Sequence, residues 1–248
     1  MCRHLAHVGR DPVTLASLVT EPPHALLVQS HAPADMRGGG TVNADGFGVG
    51  WWTEGRREPV RYRRDDPMWT DATFLDIAPT IRARALVAAV RSATVGMPVS
   101  TAACAPFSAD GWLFSHNGVV RGWPHSMGAL AAELDPVELL TLDAATDSAL
   151  LWALVLRRLR AGKDPVDAVA DVVARTLDAA PGSRLNLLLA DGGQIVATAV
   201  DHALSVRTGA SGVTVASEPL DGDPGWAAVP DGSLVTVRDG TVSVGRLG

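Results

Sequence analysis

The chain has 248 residues, 47% of them hydrophobic and 19% charged, with a net charge of −6. That is enough apolar material for a sizeable core, too little charge for disorder, and the wrong sign for a nucleic-acid surface. Two cysteines, Cys2 and Cys104, cannot form a disulfide framework, and the histidines lack the closely spaced pairs of a metal site.

Cys2 to Val8 alternates well enough to be a strand, with only Met1 before it, so no secretory signal is expected. Asp11-Pro12 then reads as the start of a helix through Val19, and His24 to Gln29 as a short helical or extended piece after Pro22-Pro23. Ser30 to Thr41, with its triple glycine, keeps no apolar period and reads as a long loop, either a lid or plain surface. In Asn43-Ala44-Asp45-Gly46-Phe47-Gly48-Val49-Gly50-Trp51-Trp52 the glycines do not fit a nucleotide-binding spacing. Glycine at alternate positions instead bares one face of a strand, so that another backbone can approach. Val60 to Arg64 should pair with that strand. The basic cluster from Arg56 to Arg64 is interrupted by acids and reads as a solvated hairpin.

Thr73 to Arg84 is predicted helical, and Ala85 to Arg91 a buried strand that delivers a charge at its end. Such a charge is costly unless it emerges into a site. Trp112 to Gly118 is a further strand running into Asn117-Gly118, which read alone is a turn signal. Trp123 to Leu134 and Pro136 to Leu142 carry helical spacing. Thr146-Asp147-Ser148 is an N-terminal cap pattern for an apolar helix reaching Arg160, and Pro165 opens another. The longest helical apolar run, Ala149 to Leu156, falls far short of a membrane span. Beyond Pro181 come six strands: 185–190, 195–200, 204–208, 213–216, 234–238 and 242–244. Strands at both ends with helices between them suggest one domain over residues 1–248, an α+β arrangement of two sheets packed face to face and covered by helices.

The candidate nucleophile is Cys2. If Met1 is removed, this residue carries both a thiol and a free α-amine. A thiol has an ordinary pKa of about 8.5 and an α-amine of about 8, so the amine is a base strong enough to take the thiol proton. On position alone Cys2 reads more readily as a small apolar residue at a strand start.

Taken together, Cys2, Asn43 to Gly48, Arg91-Ser92-Ala93-Thr94, His116-Asn117-Gly118, Thr146-Asp147-Ser148 and Ser217-Glu218-Pro219-Leu220 resemble the class II glutamine amidotransferases. These are N-terminal nucleophile hydrolases with a four-layer αββα sandwich. Within that family the likeness runs toward the free-standing amidohydrolases of ergothioneine biosynthesis, which act on γ-glutamyl-hercynylcysteine sulfoxide. The resemblance implies that Cys2 attacks a γ-glutamyl amide. Asn117 and the Gly118 N–H would hold the oxyanion, Arg91 the α-carboxylate and Asp147 the α-ammonium of the small-molecule substrate. No cofactor is expected; the charge, histidine spacing and length of the apolar runs argue against nucleic-acid, metal and membrane partners, and two cysteines suit a cytoplasmic setting.

The chain ends within a few residues of its last predicted strand, leaving no room for an ammonia-accepting domain. That favours release of the amine over the alternative, a glutaminase subunit feeding a separate synthase. Trp51, Trp52, Trp112 and Trp123 lie near the matched motifs. Aromatic faces can bind a trimethylammonium, and the same residues read equally as core.

Overall fold

Period-two alternation organises the structure. The computed structural model describes residues 2–36 and 42–247. Met1, Gly248 and residues 37–41, which hold the whole triple glycine of the Ser30–Thr41 stretch, therefore lie outside the described residues. In chain order the elements are β1 (Arg3–Thr14), α1 (Ala16–Val19), α2 (Leu26–Gln29), β2 (Phe47–Trp51), β3 (Val60–Arg64), α3 (Ala72–Ile77) and β4 (Arg82–Val90). The middle holds β5 (Phe107–Ala109), β6 (Trp112–Val119), α4 (Gly128–Ala131), α5 (Pro136–Leu140), α6 (Asp147–Arg160) and α7 (Pro165–Ala179). The last third is β7 (Arg184–Ala190), β8 (Gln194–Ala199), β9 (Ser205–Gly209), β10 (Gly212–Ala216), β11 (Ala227–Ala228), β12 (Ser233–Arg238) and β13 (Thr241–Arg246).

Among the described residues the strands form two antiparallel sheets. One has seven strands in the order β11-β9-β10-β1-β4-β2-β3, the other six in the order β13-β12-β8-β7-β6-β5. Alternation assigns each strand residue to a layer. Leu5, Leu86, Ala88 and Val90 pack outward with residues of α1, α2 and α3, while Ala6, Val87 and Val215 face the other sheet. In the second sheet Leu185, Leu187 and Leu189 pack outward against α6 and α7, and Leu188 and Ala190 face inward. The result is the expected four-layer αββα sandwich.

The bare glycine face works as the spacing implied. A Cβ on Gly48 would lie 2.4 Å from the Ala105 carbonyl oxygen, and one on Gly50 would lie 2.7 Å from the Leu113 side chain.

Local readings fared unevenly. Residues 11–14 are strand, not helix. β1 shifts register between Val8 and Val13, and Val13 and Thr14 then pair with Ala83 and Arg82. Pro12, which has no N–H to donate, falls in that interruption. For the same reason the helix predicted to reach Arg84 stops at Ile77. Arg82-Ala83-Arg84-Ala85 alternates exposed and buried, the strand signal hidden in that stretch. Helix content is shorter than expected between Trp123 and Leu134, where a 3-10 turn precedes the single turn of α4. Asn117-Gly118 is not a turn. Both residues sit inside β6, opposite Asn186 and Leu185 of β7.

Candidate active site

Cys2 stands at the start of β1 and shares its inward parity with His4 and Ala6. Its thiol is partly buried and lies 3.7 Å from the Ser92 carbonyl oxygen. A small pocket bordered by Cys2, Arg91, Ser115, His116 and Ser148 opens beside it. Three distant parts of the chain supply these walls. They are the end of β4, the middle of β6 and the start of α6.

Arg91 is positioned by its backbone. Its N–H donates to the Gly46 carbonyl (2.8 Å), its carbonyl accepts from the Asp45 N–H (3.0 Å), and the Asp45 carboxylate accepts from the Ala93 N–H (2.7 Å). The Asn43–Gly48 motif is thus the cradle of the arginine turn. Gly46 lies at φ +117°, and a Cβ there would also meet the Cys104 sulfur at 2.4 Å. The Arg91 side chain is 8% exposed, and its buried Nη1 has no hydrogen-bond partner among the described residues. An unpaired buried charge of this kind is costly and suits an anionic ligand.

Asn117 is fully buried and faces the first sheet. Its Nδ2 donates to Ser217 Oγ at 3.1 Å. An amide NH2 has two hydrogens, so one remains for another acceptor. Gly118 follows; a Cβ there would lie 1.9 Å from the Arg184 carbonyl oxygen. Close approach of β7, and not a tight turn as the pairing with asparagine suggested, is what requires glycine.

Asp147 does not border the Cys2 pocket itself. Its carboxylate sits behind Ser148 at the first turn of α6, accepting from the Val120 N–H (3.0 Å) and from the N–H (2.7 Å) and hydroxyl (3.2 Å) of Ser148. An ionised carboxylate offers about four acceptor sites, so one is left over. Thr146 caps the helix by accepting from the Ala149 N–H at 3.2 Å.

The Ser217-Glu218 motif, to which the sequence assigned no role, ties these parts together. Ser217 Oγ accepts from the His4 N–H (3.0 Å) as well as from Asn117, and lies 3.2 Å from the His4 carbonyl. Glu218 accepts from Arg3 Nε at 2.5 Å, from the Ala34 N–H at 2.8 Å and meets His24 Nε2 at 2.6 Å. Arg3 in turn donates to the Cys2 carbonyl at 2.9 Å and to the Asp35 carbonyl. The dipeptide therefore grips both the strand that follows Cys2 and the amide of Asn117. Burial opposes ionisation of Glu218, but the bonds from His24, Arg3 and Ala34 hold its pKa below the ordinary value.

Cys104 is a different kind of thiol. It is fully buried, with its sulfur 3.2 Å from the Arg64 carbonyl. Burial pushes its pKa up to about 11, against the pull of Arg91 and Arg63. A thiol held protonated in this way is a poor nucleophile at neutral pH.

Of the four tryptophans near the matched motifs, Trp51 is buried in the outer core beside α1 to α3, Trp112 packs against the opposite core, and Trp52 donates to the Gly111 carbonyl at 3.2 Å. Trp123 also packs on that core and borders a surface cleft with Thr94, Met97, Val120 and Arg121. Among the described residues no cluster of histidine, cysteine and carboxylate could hold a metal ion, and no helix is long and apolar enough to cross a membrane.

The model of the class II glutamine amidotransferases matches residues 14–210, and the chain belongs to that family. The fold agrees. A class II glutamine aminotransferase domain protein of Silicibacter pomeroyi superimposes with a TM-score of 0.72 at 24% identity over all of both chains. The glutamine phosphoribosylpyrophosphate amidotransferase of B. subtilis does so at 0.68 and 14% identity, covering all of this chain and 49% of that one.

Two relatives are more specific. The γ-glutamyl-hercynylcysteine sulfoxide hydrolase of Mycolicibacterium smegmatis is 44% identical across 98% of this chain and 99% of its own. The Mycobacterium tuberculosis protein of the same name is 40% identical across 100% of this chain and 97% of its own.

Proposed function

We propose that the chain is a γ-glutamyl amide hydrolase of ergothioneine biosynthesis, acting as one domain in the cytoplasm. It releases glutamate and hercynylcysteine sulfoxide from γ-glutamyl-hercynylcysteine sulfoxide. The observation that carries this reading is the end-to-end likeness, at 44% identity, to a hydrolase named for that substrate.

Removal of Met1 frees the Cys2 α-amine, which takes the thiol proton as sulfur attacks the γ-carbonyl carbon. The carbonyl π electrons move to oxygen, and this oxyanion is held by the second Asn117 hydrogen and the Gly118 N–H. The ammonium returns its proton to the leaving nitrogen as the C–N bond breaks. Water, deprotonated by the same amine, then hydrolyses the thioester. Arg91 pairs with the substrate α-carboxylate and Asp147 with its α-ammonium. The partnerless Arg91 Nη1 and the spare acceptor site of Asp147 support these roles. Trp123 borders the cleft beyond the Arg91 turn, where its ring is placed to meet a trimethylammonium.

Glutamate release from this substrate, from γ-glutamylcysteine and from glutamine, compared at matched concentrations, tests the reading. The first should be turned over fastest, because binding energy on the amine side can be used at the reacting amide. Cys2→Ala should abolish release, whereas Cys104→Ser should retain most of it. Protein that keeps Met1, identified by intact mass, should be inactive. Equal or faster turnover of glutamine would replace this reading with that of a glutaminase subunit.

A further inference from the structure

Beneath Cys2, two strand positions further along the same face, lies His4. Its imidazole is fully buried, with Nδ1 3.1 Å from Ser115 Oγ and Nε2 without a partner among the described residues. Burial, together with the nearby His116, His202 and Arg3, pulls its pKa down to about 3, so the ring is neutral at working pH. A neutral imidazole carries one N–H. On Nε2 that hydrogen would be a buried donor with no acceptor; on Nδ1 it has the Ser115 oxygen. The Nδ1–H tautomer is therefore the one the packing selects. Ser115 then accepts from His4, and its own hydroxyl hydrogen is free to point elsewhere.

Ser115 borders the Cys2 pocket. The protonated thiol of Cys2 faces a carbonyl, that of Ser92. A thiolate has no hydrogen to give and is repelled by that oxygen; the α-ammonium that has taken its proton lies on the backbone side, and any further donor must come from the pocket wall. The Ser148 hydroxyl already lies between His116 Nδ1 (3.0 Å) and the Asp147 carboxylate (3.2 Å). In the reading proposed above, Arg91 is taken by the substrate carboxylate. The geometry points to Ser115 as a further catalytic residue, its hydroxyl donating a hydrogen bond to the Cys2 thiolate, with His4 as the positioning residue that fixes the direction of that hydroxyl. No proton is transferred. The hydrogen bond lowers the energy of the ionised nucleophile and is released as sulfur bonds to carbon.

This inference rests on Cys2 being the nucleophile, but not on the identity of the substrate. The test is the pH dependence of Cys2 alkylation by iodoacetamide in Met1-processed protein, read by peptide mass so that Cys104 is scored separately. Ser115→Thr and Ser115→Val have matched shapes and differ in the hydroxyl, so any packing cost is common to both. The threonine variant should keep the wild-type alkylation midpoint. The valine variant should raise it by about 1–2 pH units and slow glutamate release by about 10–100-fold, since hydrogen bonds to charged groups are the stronger kind. His4→Asn, which can keep a donor near the Nδ1 position, should behave like Ser115→Thr, and His4→Leu like Ser115→Val.

The Cys2 α-amine, Arg91 and His116 also face the thiol and are unchanged in all four proteins, so they do not contribute to the differences. Matching alkylation midpoints and rates for the threonine and valine variants would overturn the assignment. If the midpoints shift as described but the named substrate is not hydrolysed, the substrate reading fails and this one stands.

Discussion

At the scale of single residues, the proposed roles separate binding from chemistry. In the proposed reading Arg91 meets the substrate α-carboxylate with a planar fork, and its buried Nη1 has no partner among the described residues. Arg91→Lys keeps the charge but not the fork, so kcat/KM for glutamate release should fall clearly, with much of the change in KM. In the proposed mechanism Asn117 acts on a charge that exists only during reaction. Asn117→Ala should therefore lower kcat by about 10²–10³ and leave KM close to its starting value. Steady-state kinetics on the two variants distinguishes the roles, and an Asn117 variant altered only in KM would contradict an oxyanion contact. Ser217 holds one Asn117 hydrogen in place, so its loss should resemble a weaker form of the Asn117 change.

At the scale of elements, the site depends on how closely strands can approach. β2 carries glycine where the Ala105 backbone comes near, and Ala105 in turn borders the Cys2 pocket. Gly48→Ala would put a Cβ 2.4 Å from a backbone carbonyl that has little room to move. A loss of about 1–3 kcal/mol in urea unfolding is expected, the usual scale for overpacking. Gly245→Ala on β13 is the control, because nothing lies within 4 Å of its added Cβ. Equal stability of the two variants would show that the glycine face is not needed for packing.

At the scale of the whole molecule, buried imidazoles set the response to acid. Burial is the main cause that lowers the pKa of His4 to about 3 and of His7 to about 4, from an ordinary 6.5. Below pH 6.5 the unfolded chain takes up protons that the folded chain refuses, so stability falls as pH drops toward 4. His7→Asn should flatten part of that slope in melting temperature against pH. A melting temperature constant between about pH 4 and 6.5 would contradict it. Glu218 acts lower still. Its depressed pKa means that its contribution is present above the ordinary 4.5 and is lost as pH falls through the folded value.

Periodicity, caps and turn residues are local properties, and the sequence alone determined what depends on them. It set α6 from Asp147 to Arg160 and the start of α7 at Pro165. The candidate nucleophile was legible too, because a thiol beside a prospective α-amine is chemistry written in adjacent atoms. Partners far apart in sequence were not legible. Whether residues 11–14 are helix or strand is decided by pairing with Ala83 and Arg82, about seventy residues away. Asn117-Gly118 is strand and not turn because Asn186 and Leu185 of β7 lie opposite. The tautomer of His4 and the grip of Ser217 on Asn117 depend on groups 100 residues or more apart along the chain, brought within hydrogen-bond reach by the folded strands. Hydrogen bonding across that separation exists only once the sheets have closed on each other, and so the direction of each polar side chain in the site was left to the tertiary structure.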